Sequence, residues 1–93
     1  MCERKIEKEL VAQVKAMGGI APKFTSPGFD GMPGRLVLLP SGRMAFVELK
    51  APGKKPRALQ MARHRLLRRL GFKVYVIDEI NQIDSVLEEI DHE

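Results

Sequence analysis

Glu48 and Lys50 are two residues apart at the end of an apolar run of strand length, residues 44–49. In a β-strand such a pair leaves the same face, so the carboxylate and the ammonium would lie side by side. A carboxylate can hold a hard divalent cation, Mg²⁺ or Mn²⁺, against a phosphodiester, and an ammonium can stabilise the charge that develops on the phosphate. The backbone carbonyl of Leu49 is a further oxygen that this cation could bind. The candidate chemistry is therefore hydrolysis of a phosphodiester bond.

Two simpler interpretations of the pair remain open. Glu48 and Lys50 could form only an ion pair with each other, because lone buried charges are too costly to leave uncompensated. Alternatively, the strand end could emerge into solvent, where a Glu-x-Lys sequence has no special role. The motif alone does not define a site, so its surroundings have to decide.

The charges of the chain are unevenly distributed. Residues 43–73 contain ten basic side chains and one acid, Glu48, whereas residues 78–93 contain seven acids and no lysine or arginine. A basic segment favours a polyanionic partner such as a nucleic-acid backbone, although a solvated helix surface would have the same composition. The side chains that we expect to contact a phosphate backbone are Lys54, Lys55, Arg57, His64, Arg65 and Arg68.

Apolar periodicity predicts a helix at each end of the chain. The first would cover residues 3–17 and end at Gly18-Gly19, since glycine readily takes the left-handed conformation found at helix C-termini. The last would begin near residue 80. The apolar stripe of the first helix is Ile6, Leu10, Val14 and Met17, and that of the last is Ile80, Ile83, Leu87 and Ile90.

Between these helices the pattern predicts a sheet and one further helix. Strands are expected at residues 20–24, 35–39, 44–49 and 73–77. The connection between the last two is long enough for a right-handed parallel crossover through a helix. The fold class is therefore α/β, a mixed sheet flanked by helices.

The crossover helix would have Pro56 in its first turn and end at Gly71. We expect one face of it to pack on the sheet and the basic side chains to project away from that face. The predicted packing face is Leu59, Ala62, Leu66 and Leu70, with Leu67 beside them, and the predicted projecting set is Arg57, His64, Arg65 and Arg68.

Length and composition predict a single domain over residues 1–93 that is stabilised by packing. The one cysteine, Cys2, cannot form an internal disulfide, which fits a reducing cytoplasm. No membrane span is expected, because the longest uninterrupted aliphatic stretch has four residues, 36–39. Residues 3–9 are charged apart from Ile6, so no signal-peptide core is expected there.

Several short motifs together resemble the PD-(D/E)xK nuclease superfamily, and within it the stand-alone VRR-Nuc domains of phage and viral type. The resemblance covers residues 7–77. The matching segments are Gly18-Gly19, Lys23-Phe24-Thr25-Ser26-Pro27-Gly28, Gly31-Met32-Pro33, Arg35-Leu36-Val37-Leu38, Val47-Glu48-Leu49-Lys50-Ala51-Pro52-Gly53-Lys54, Gln60 and Leu70-Gly71-Phe72.

This resemblance implies a restriction-endonuclease-like αβββαβ core and a metal-dependent, structure-selective DNA endonuclease similar to Holliday-junction resolvases. The implied cofactor is Mg²⁺ or Mn²⁺. The implied partners are branched or double-stranded DNA and a second copy of the chain, in the cytoplasm of a bacterial or phage-infected cell. By the same similarity Glu48 would be a metal ligand and Lys50 the catalytic lysine. Gln60 would reach the site, and Glu7 would contact a metal or its water.

The chain departs from the family pattern at one position. After Gly-x-Pro the family has an aspartate, its principal metal ligand, whereas this chain has Gly34, which offers no carboxylate. Asp30 would replace that ligand only if the intervening loop folded back. Because a Mg²⁺ site with few protein oxygens is severely weakened by losing one, we expect this chain to cleave poorly or not at all while still folding and binding DNA.

Two other functions stay open at this point. One is a DNA-binding module without catalysis, in which Glu48 and Lys50 are an ion pair. The other is a protein-interaction adaptor that uses the acidic last helix. The adaptor predicts no salt-sensitive affinity for DNA, whereas both DNA-binding functions predict a steep loss of affinity as salt rises.

Overall fold

The computed structural model of the protein describes residues 2–92. Helices are found at both ends and between the second and third strands, in an order that follows the sequence prediction. The elements are α1 (Glu3–Ala16), β1 (Arg35–Leu38), β2 (Met44–Leu49), α2 (Ala58–Arg69), β3 (Val74–Ile77) and α3 (Ile83–Asp91). Short 3₁₀ turns at Pro40–Gly42 and Ile80–Gln82 precede β2 and α3.

The three strands form one mixed sheet in the order β1-β2-β3. β1 pairs with β2 in antiparallel register, with Arg35 opposite Val47, and β2 pairs with β3 in parallel register, with Glu48 opposite Val76. Helix α2 lies in the crossover between the parallel pair. The predicted α/β class with a mixed sheet is confirmed.

The predicted strand at residues 20–24 is present only as an extended edge segment. It makes two isolated antiparallel bridges to β1, Ile20 with Leu38 and Lys23 with Arg35. The ladder is interrupted because Pro22 has no N–H, although its carbonyl accepts from the Leu36 N–H at 3.1 Å. Four strands were expected in the αβββαβ core, and three of them are regular strands among residues 2–92. The extended edge segment takes the place of the first predicted strand.

Helices α1 and α3 supply the main core. Their buried side chains pack with one face of the sheet, which includes Val37, Ala45, Val47 and Ile77. The predicted stripes of both terminal helices are confirmed, with Met17 and Ile80 only partly buried at their ends. The buried side chains of these stripes are Ile6, Leu10, Val14, Ile83, Leu87 and Ile90. Among the described residues 2–92, no helix is long and apolar enough to cross a membrane.

The predicted packing face of α2 is wrong at its two ends, whereas Ala62 and Leu66 are half-buried and the neighbouring Leu67 is buried. Leu59 and Leu70 are 45% and 62% exposed, whereas the buried side chains of α2 are Gln60, His64 and Leu67. The helix is rotated because the sheet face that it covers is only partly apolar. Phe46 lies on that face in a second, smaller apolar cluster with Leu67. The polar residues of the buried stripe of α2, Gln60 and His64, lie beyond this cluster.

Candidate active site

Glu48 and Lys50 come together at the carboxyl end of β2. The Lys50 ammonium lies 3.8 Å from Oε2 of Glu48. The intervening and preceding residues Ala45, Val47 and Leu49 are in the main core, on the opposite face, as strand alternation predicts. The pair is therefore placed on the side of the sheet that α2 covers.

Glu48 is a buried acid, with 7% of its surface exposed. Burial raises the pKa of the Glu48 carboxyl above its usual range, against an opposing effect of the Lys50 charge; Glu3 raises this pKa further and Arg57 lowers it. A buried carboxylate requires nearby positive charge or hydrogen-bond donors to stay ionised. The exposed strand end that was one alternative is thus wrong, because both side chains of the pair are largely covered.

His64 lies on the other side of the same carboxylate. Its Nε2 is 3.7 Å from Oε1 of Glu48, and only 3% of the residue is exposed. The prediction that His64 projects from the basic surface is therefore wrong, because the rotation of α2 turns this side chain inward. Burial lowers the pKa of His64, and the charges of Arg68 and Lys50 lower it further, which disfavours the imidazolium.

Gln60 begins the same buried stripe, one turn before His64. Its Oε1 accepts a hydrogen bond of 2.8 Å from the Arg57 N–H, one of the free backbone donors at the start of α2. The amide thus fixes the start of the helix. Its predicted role in the active site stays a prediction.

A cavity of about 130 Å³ adjoins Glu48 on the side of α1 and β1. We call it the Gly34 cavity; it is lined by Glu3, Glu7, Lys23, Gly34, Arg35, Glu48 and Leu49. It brings the predicted ligand positions Glu7, Gly34, Glu48 and Leu49 to one place.

The Leu49 carbonyl fits the ligand role that the sequence suggests. The N–H groups of Phe46 and Lys50 donate to the carbonyls of Lys73, just before β3, and Ile77, at its end. The backbone groups of Leu49 therefore face β1. Continuing the β1–β2 register would set Leu49 opposite Pro33, which has no N–H to donate. The sheet ladder therefore provides no donor for this oxygen.

Gly34 leaves an open space in the cavity. Among the described residues, nothing lies within 4 Å of a Cβ built on Gly34, and its backbone is not in the left-handed region. An ordinary side chain would therefore fit there without strain. Asp30 does not line the cavity, because its loop is fixed to α2: Arg63 donates to the Asp30 carbonyl at 2.8 Å and stacks on Phe29 at 3.9 Å.

Glu7 has a cationic partner inside the cavity. The Arg35 guanidinium lies 3.0 Å from Glu7 Oε2 and donates to the Ala21 carbonyl at 2.6 Å. The hydrogen bond that Arg35 donates to the Glu7 carboxylate holds the pKa of Glu7 below its usual range. Glu7 is thus a carboxylate that a metal ion would have to share with Arg35.

We expect the substitution Glu7→Gln to lower stability at pH 7 by less than about 1 kcal/mol, because a third of the Glu7 side chain is exposed and solvent screens the pair. The folded-state pKa of Glu7 is depressed, so the pair stabilises the protein above the unfolded-state pKa and loses this effect as pH falls through the folded-state pKa. Urea unfolding of both proteins at several pH values should therefore show curves that converge in acid. A difference that persists there would contradict the ion pair as its cause.

The residues present do not complete a dedicated divalent-metal site. Glu48 Oε1 is sealed from solvent, so Oε2 is the carboxylate oxygen left to a ligand, and it lies beside Lys50. Glu7 is held by Arg35, and Gly34 has no side chain. Across residues 2–92 no group of three His, Cys, Asp or Glu side chains is arranged so that it could hold a metal ion. The described residues therefore lack the set of oxygens that a dedicated divalent-metal site needs.

The exposed side of α2 and the loop before it form the basic surface, defined by Lys54, Lys55, Arg57, Arg65 and Arg68. All five residues are exposed, although Arg68 also donates to the Val74 carbonyl at 2.8 Å. An open groove of about 480 Å³ runs along this surface and has Lys55, Arg65 and Arg68 in its lining. The basic surface adjoins the buried Glu48 through His64, which lies under the groove.

Sequence reasoning missed three contacts of this site. Arg35 pairs with Glu7, Arg63 fixes the loop, and His64 faces Glu48. Only the last had a signal in the sequence: Gln60, His64 and Leu67 are spaced by four and three, a helical stripe that starts at a residue already assigned to the site.

The fold and this site define an α/β protein of the nuclease type, with an acid and a lysine at a strand end beside a basic helix. The chain is 51% identical over 85 residues to a phage protein named "Putative nuclease p44", from Acyrthosiphon pisum secondary endosymbiont phage 1. The match covers 91% of this chain and 90% of the relative. No protein-family model matches the chain.

A solved structure described as "VRR_NUC domain" superposes with a TM-score of 0.86 and 33% sequence identity, and the match covers 92% of this chain and 94% of that one. The protein belongs to the VRR-Nuc family of nucleases, as the motifs predicted.

Proposed function

We propose that this protein is a structure-selective VRR-Nuc endonuclease domain that binds branched or double-stranded DNA. With glycine at position 34, it hydrolyses this DNA weakly or not at all. The observation that carries the proposal is Gly34, which lines the cavity beside Glu48 and provides no carboxylate. Binding depends on the basic surface, which is intact. Hydrolysis depends on the anionic ligands, of which one is missing.

The residues that are present support a specific division of roles. Lys50, whose ammonium lies 3.8 Å from Glu48, would stabilise charge on a phosphate at the strand end. The basic surface would hold the backbone alongside. In the completed site, Glu48, the Leu49 carbonyl and an acid at position 34 would hold Mg²⁺ or Mn²⁺.

The test is a comparison of the chain with its Gly34→Asp variant on a four-way junction and on a linear duplex of the same sequence, with Mg²⁺ or Mn²⁺. Cleavage of the junction that appears in the variant supports the proposal. Strong cleavage by the chain as written would contradict it.

A second candidate function is a DNA-binding module without catalysis. It is favoured by the absence of a three-ligand cluster in residues 2–92 and by the Glu48–Lys50 contact, which could be only structural. Under this function the Gly34→Asp variant binds DNA but still does not cleave it.

The basic surface gives a prediction that separates DNA binding from an adaptor function. We expect Arg65→Ala to weaken duplex binding about 3- to 10-fold and to reduce the slope of log affinity against log salt by about one, since one phosphate contact is lost. The measurement is fluorescence anisotropy between about 50 and 200 mM salt.

The matched control for this experiment is Lys15→Ala. Lys15 is exposed on α1, which packs on the opposite face of the sheet from α2. We expect no change in either quantity for this variant. Equal effects of the two substitutions would mean that binding follows net charge rather than the basic surface, and salt-independent binding would favour the adaptor.

We also propose that the protein acts as a two-fold dimer, because resolving a four-way junction requires two symmetry-related cuts. Its proposed place of action is the cytoplasm of a bacterial or phage-infected cell. Light scattering on the purified chain with and without junction DNA tests the dimer: a monomer mass in both states would contradict it.

A further inference from the structure

The contact between Glu48 and His64 contains two polar atoms that nothing else satisfies. Glu48 Oε1 and His64 Nε2 are both sealed from solvent, and neither has a hydrogen-bond partner among residues 2–92. They are 3.7 Å apart. Buried polar atoms nearly always have a partner, and leaving one unsatisfied is costly, so an unpaired donor and acceptor at this separation require an explanation.

We propose that His64 is a positioning residue for Glu48, whose Oε1 accepts a hydrogen bond from the His64 Nε2–H. Closing the contact to a normal length of about 3.0 Å needs an approach of about 0.7 Å. Both the imidazolium and one of the two neutral tautomers have the required proton. The inference rests on the proposed function to the extent that Glu48 is the acid of the site.

The packing of α2 on the sheet fixes this contact. Phe46 and Glu48 are alternate residues of β2 and share a face, and Leu67 and His64 are one helical turn apart on the buried stripe of α2. Phe46 and Leu67 belong to one apolar cluster. The next pair along, Glu48 and His64, is the polar continuation of the same strand–helix contact. The apolar pair therefore holds the polar pair in register.

Other roles for His64 do not fit its surroundings. A phosphate contact requires an accessible ring, and only 3% of this residue is exposed. A metal-ligand role requires further donors, and the described residues contain no group of three His, Cys, Asp or Glu side chains that could hold a metal ion. A hydrogen bond to Glu48 is the role that gives the buried His64 Nε2 a partner.

The proposed hydrogen bond assigns different tasks to the two oxygens of Glu48. Oε1 is fixed by His64, so Oε2, which lies 3.8 Å from Lys50, is the oxygen that is left for a ligand or substrate. Without His64 the carboxylate is free to rotate toward Lys50. Groups that orient a ligating carboxylate contribute about 10- to 100-fold to the affinity or activity of such sites.

The first experiment reads the hydrogen bond directly, without any cleavage. The chain has two histidines, so ¹⁵N-histidine labelling of the full chain gives two rings to compare, with the exposed His92 as the internal reference. We expect His64 to carry its proton on Nε2, protected from solvent exchange, and this signal to be lost or shifted in Glu48→Ala. A bare Nε2, or a His64 signal that Glu48→Ala leaves unchanged, would overturn the proposal.

The second experiment uses the Gly34→Asp background and compares His64→Leu with His64→Gln. The glutamine amide can present an N–H near the position of Nε2, whereas leucine cannot. We expect kcat to fall at least about tenfold for His64→Leu, with KM changed less than about threefold, and to be largely retained for His64→Gln. Equal losses for both variants would mean a purely structural role and would refute the positioning role.

The two experiments separate this inference from the proposed function. If the Gly34→Asp background does not cleave DNA, the proposed function fails, and the ¹⁵N spectra still decide whether His64 bonds to Glu48. If the background cleaves and the spectra show no such bond, only the inference about His64 fails.

Discussion

Gly34→Asp should raise the rate of junction cleavage with Mg²⁺ or Mn²⁺ by at least about 100-fold, equivalent to about 2.7 kcal/mol of transition-state stabilisation. This is the largest functional effect that we expect from a single substitution in the chain. Its physical reason is that a second carboxylate beside Glu48 supplies the anionic oxygen that a hard divalent cation lacks here.

The structure gives no steric reason for this substitution to fail. The space around a Cβ at position 34 is open, and the residue lies in the cavity with Glu48 and Leu49. The Gly34 carbonyl accepts a hydrogen bond from the Phe24 N–H at 2.8 Å, a contact that does not depend on the side chain. We therefore expect the variant to fold as the parent does.

Two control variants separate charge from shape. Gly34→Asn has nearly the same size as the aspartate variant but no charge, and we expect it to remain inactive. Glu48→Ala in the Gly34→Asp background should abolish the new activity. Cleavage by the asparagine variant at the rate of the aspartate variant, or cleavage that survives Glu48→Ala, would show that the activity arises elsewhere.

The parts of this protein that the sequence predicts well are those that depend on local pattern. Ile6, Leu10 and Val14 predict α1 correctly, because apolar residues at helical spacing can all be buried only if the segment is a helix with that face on the core. The approach of Glu48 and Lys50 follows from strand alternation alone. The second prediction requires only that Leu49, between the two residues, is buried on the opposite face, which it is.

The parts that the sequence did not predict depend on what lies opposite. The face of α2 was mispredicted because Leu59 and Leu70 suggested an apolar stripe, whereas the helix buries Gln60, His64 and Leu67. His64 lies 3.7 Å from Glu48, an acid on the sheet beneath the helix. The Glu7–Arg35 pair joins residues 28 positions apart and depends on how α1 packs beside β1, which periodicity does not encode. Such polar contacts become visible only once the elements are placed.

Substitution of Gly19, which follows α1, gives the largest effect on stability that we expect. A Cβ on Gly19 would overlap the backbone carbonyl oxygen of Leu38 and lie 2.9 Å from Cδ2 of Leu39. The Leu38 oxygen already accepts from the Ile20 N–H at 3.0 Å, so relief of the overlap must displace the edge segment from β1. We expect Gly19→Ala to lower the free energy of unfolding by about 2–3 kcal/mol.

Gly34→Ala is the matched control, because it adds the same methyl group where nothing lies within 4 Å among the described residues. With its backbone outside the left-handed region, this variant should change stability by less than about 1 kcal/mol, and any change should be toward greater stability because alanine restricts the unfolded chain. Urea unfolding followed by circular dichroism measures both variants, and the Gly19→Ala midpoint should fall at an unchanged slope. Equal midpoints for the two variants would contradict this prediction. They would mean that residues 20–24 move away from β1 at little cost in free energy, so that their hydrogen bonds to β1 contribute little to stability.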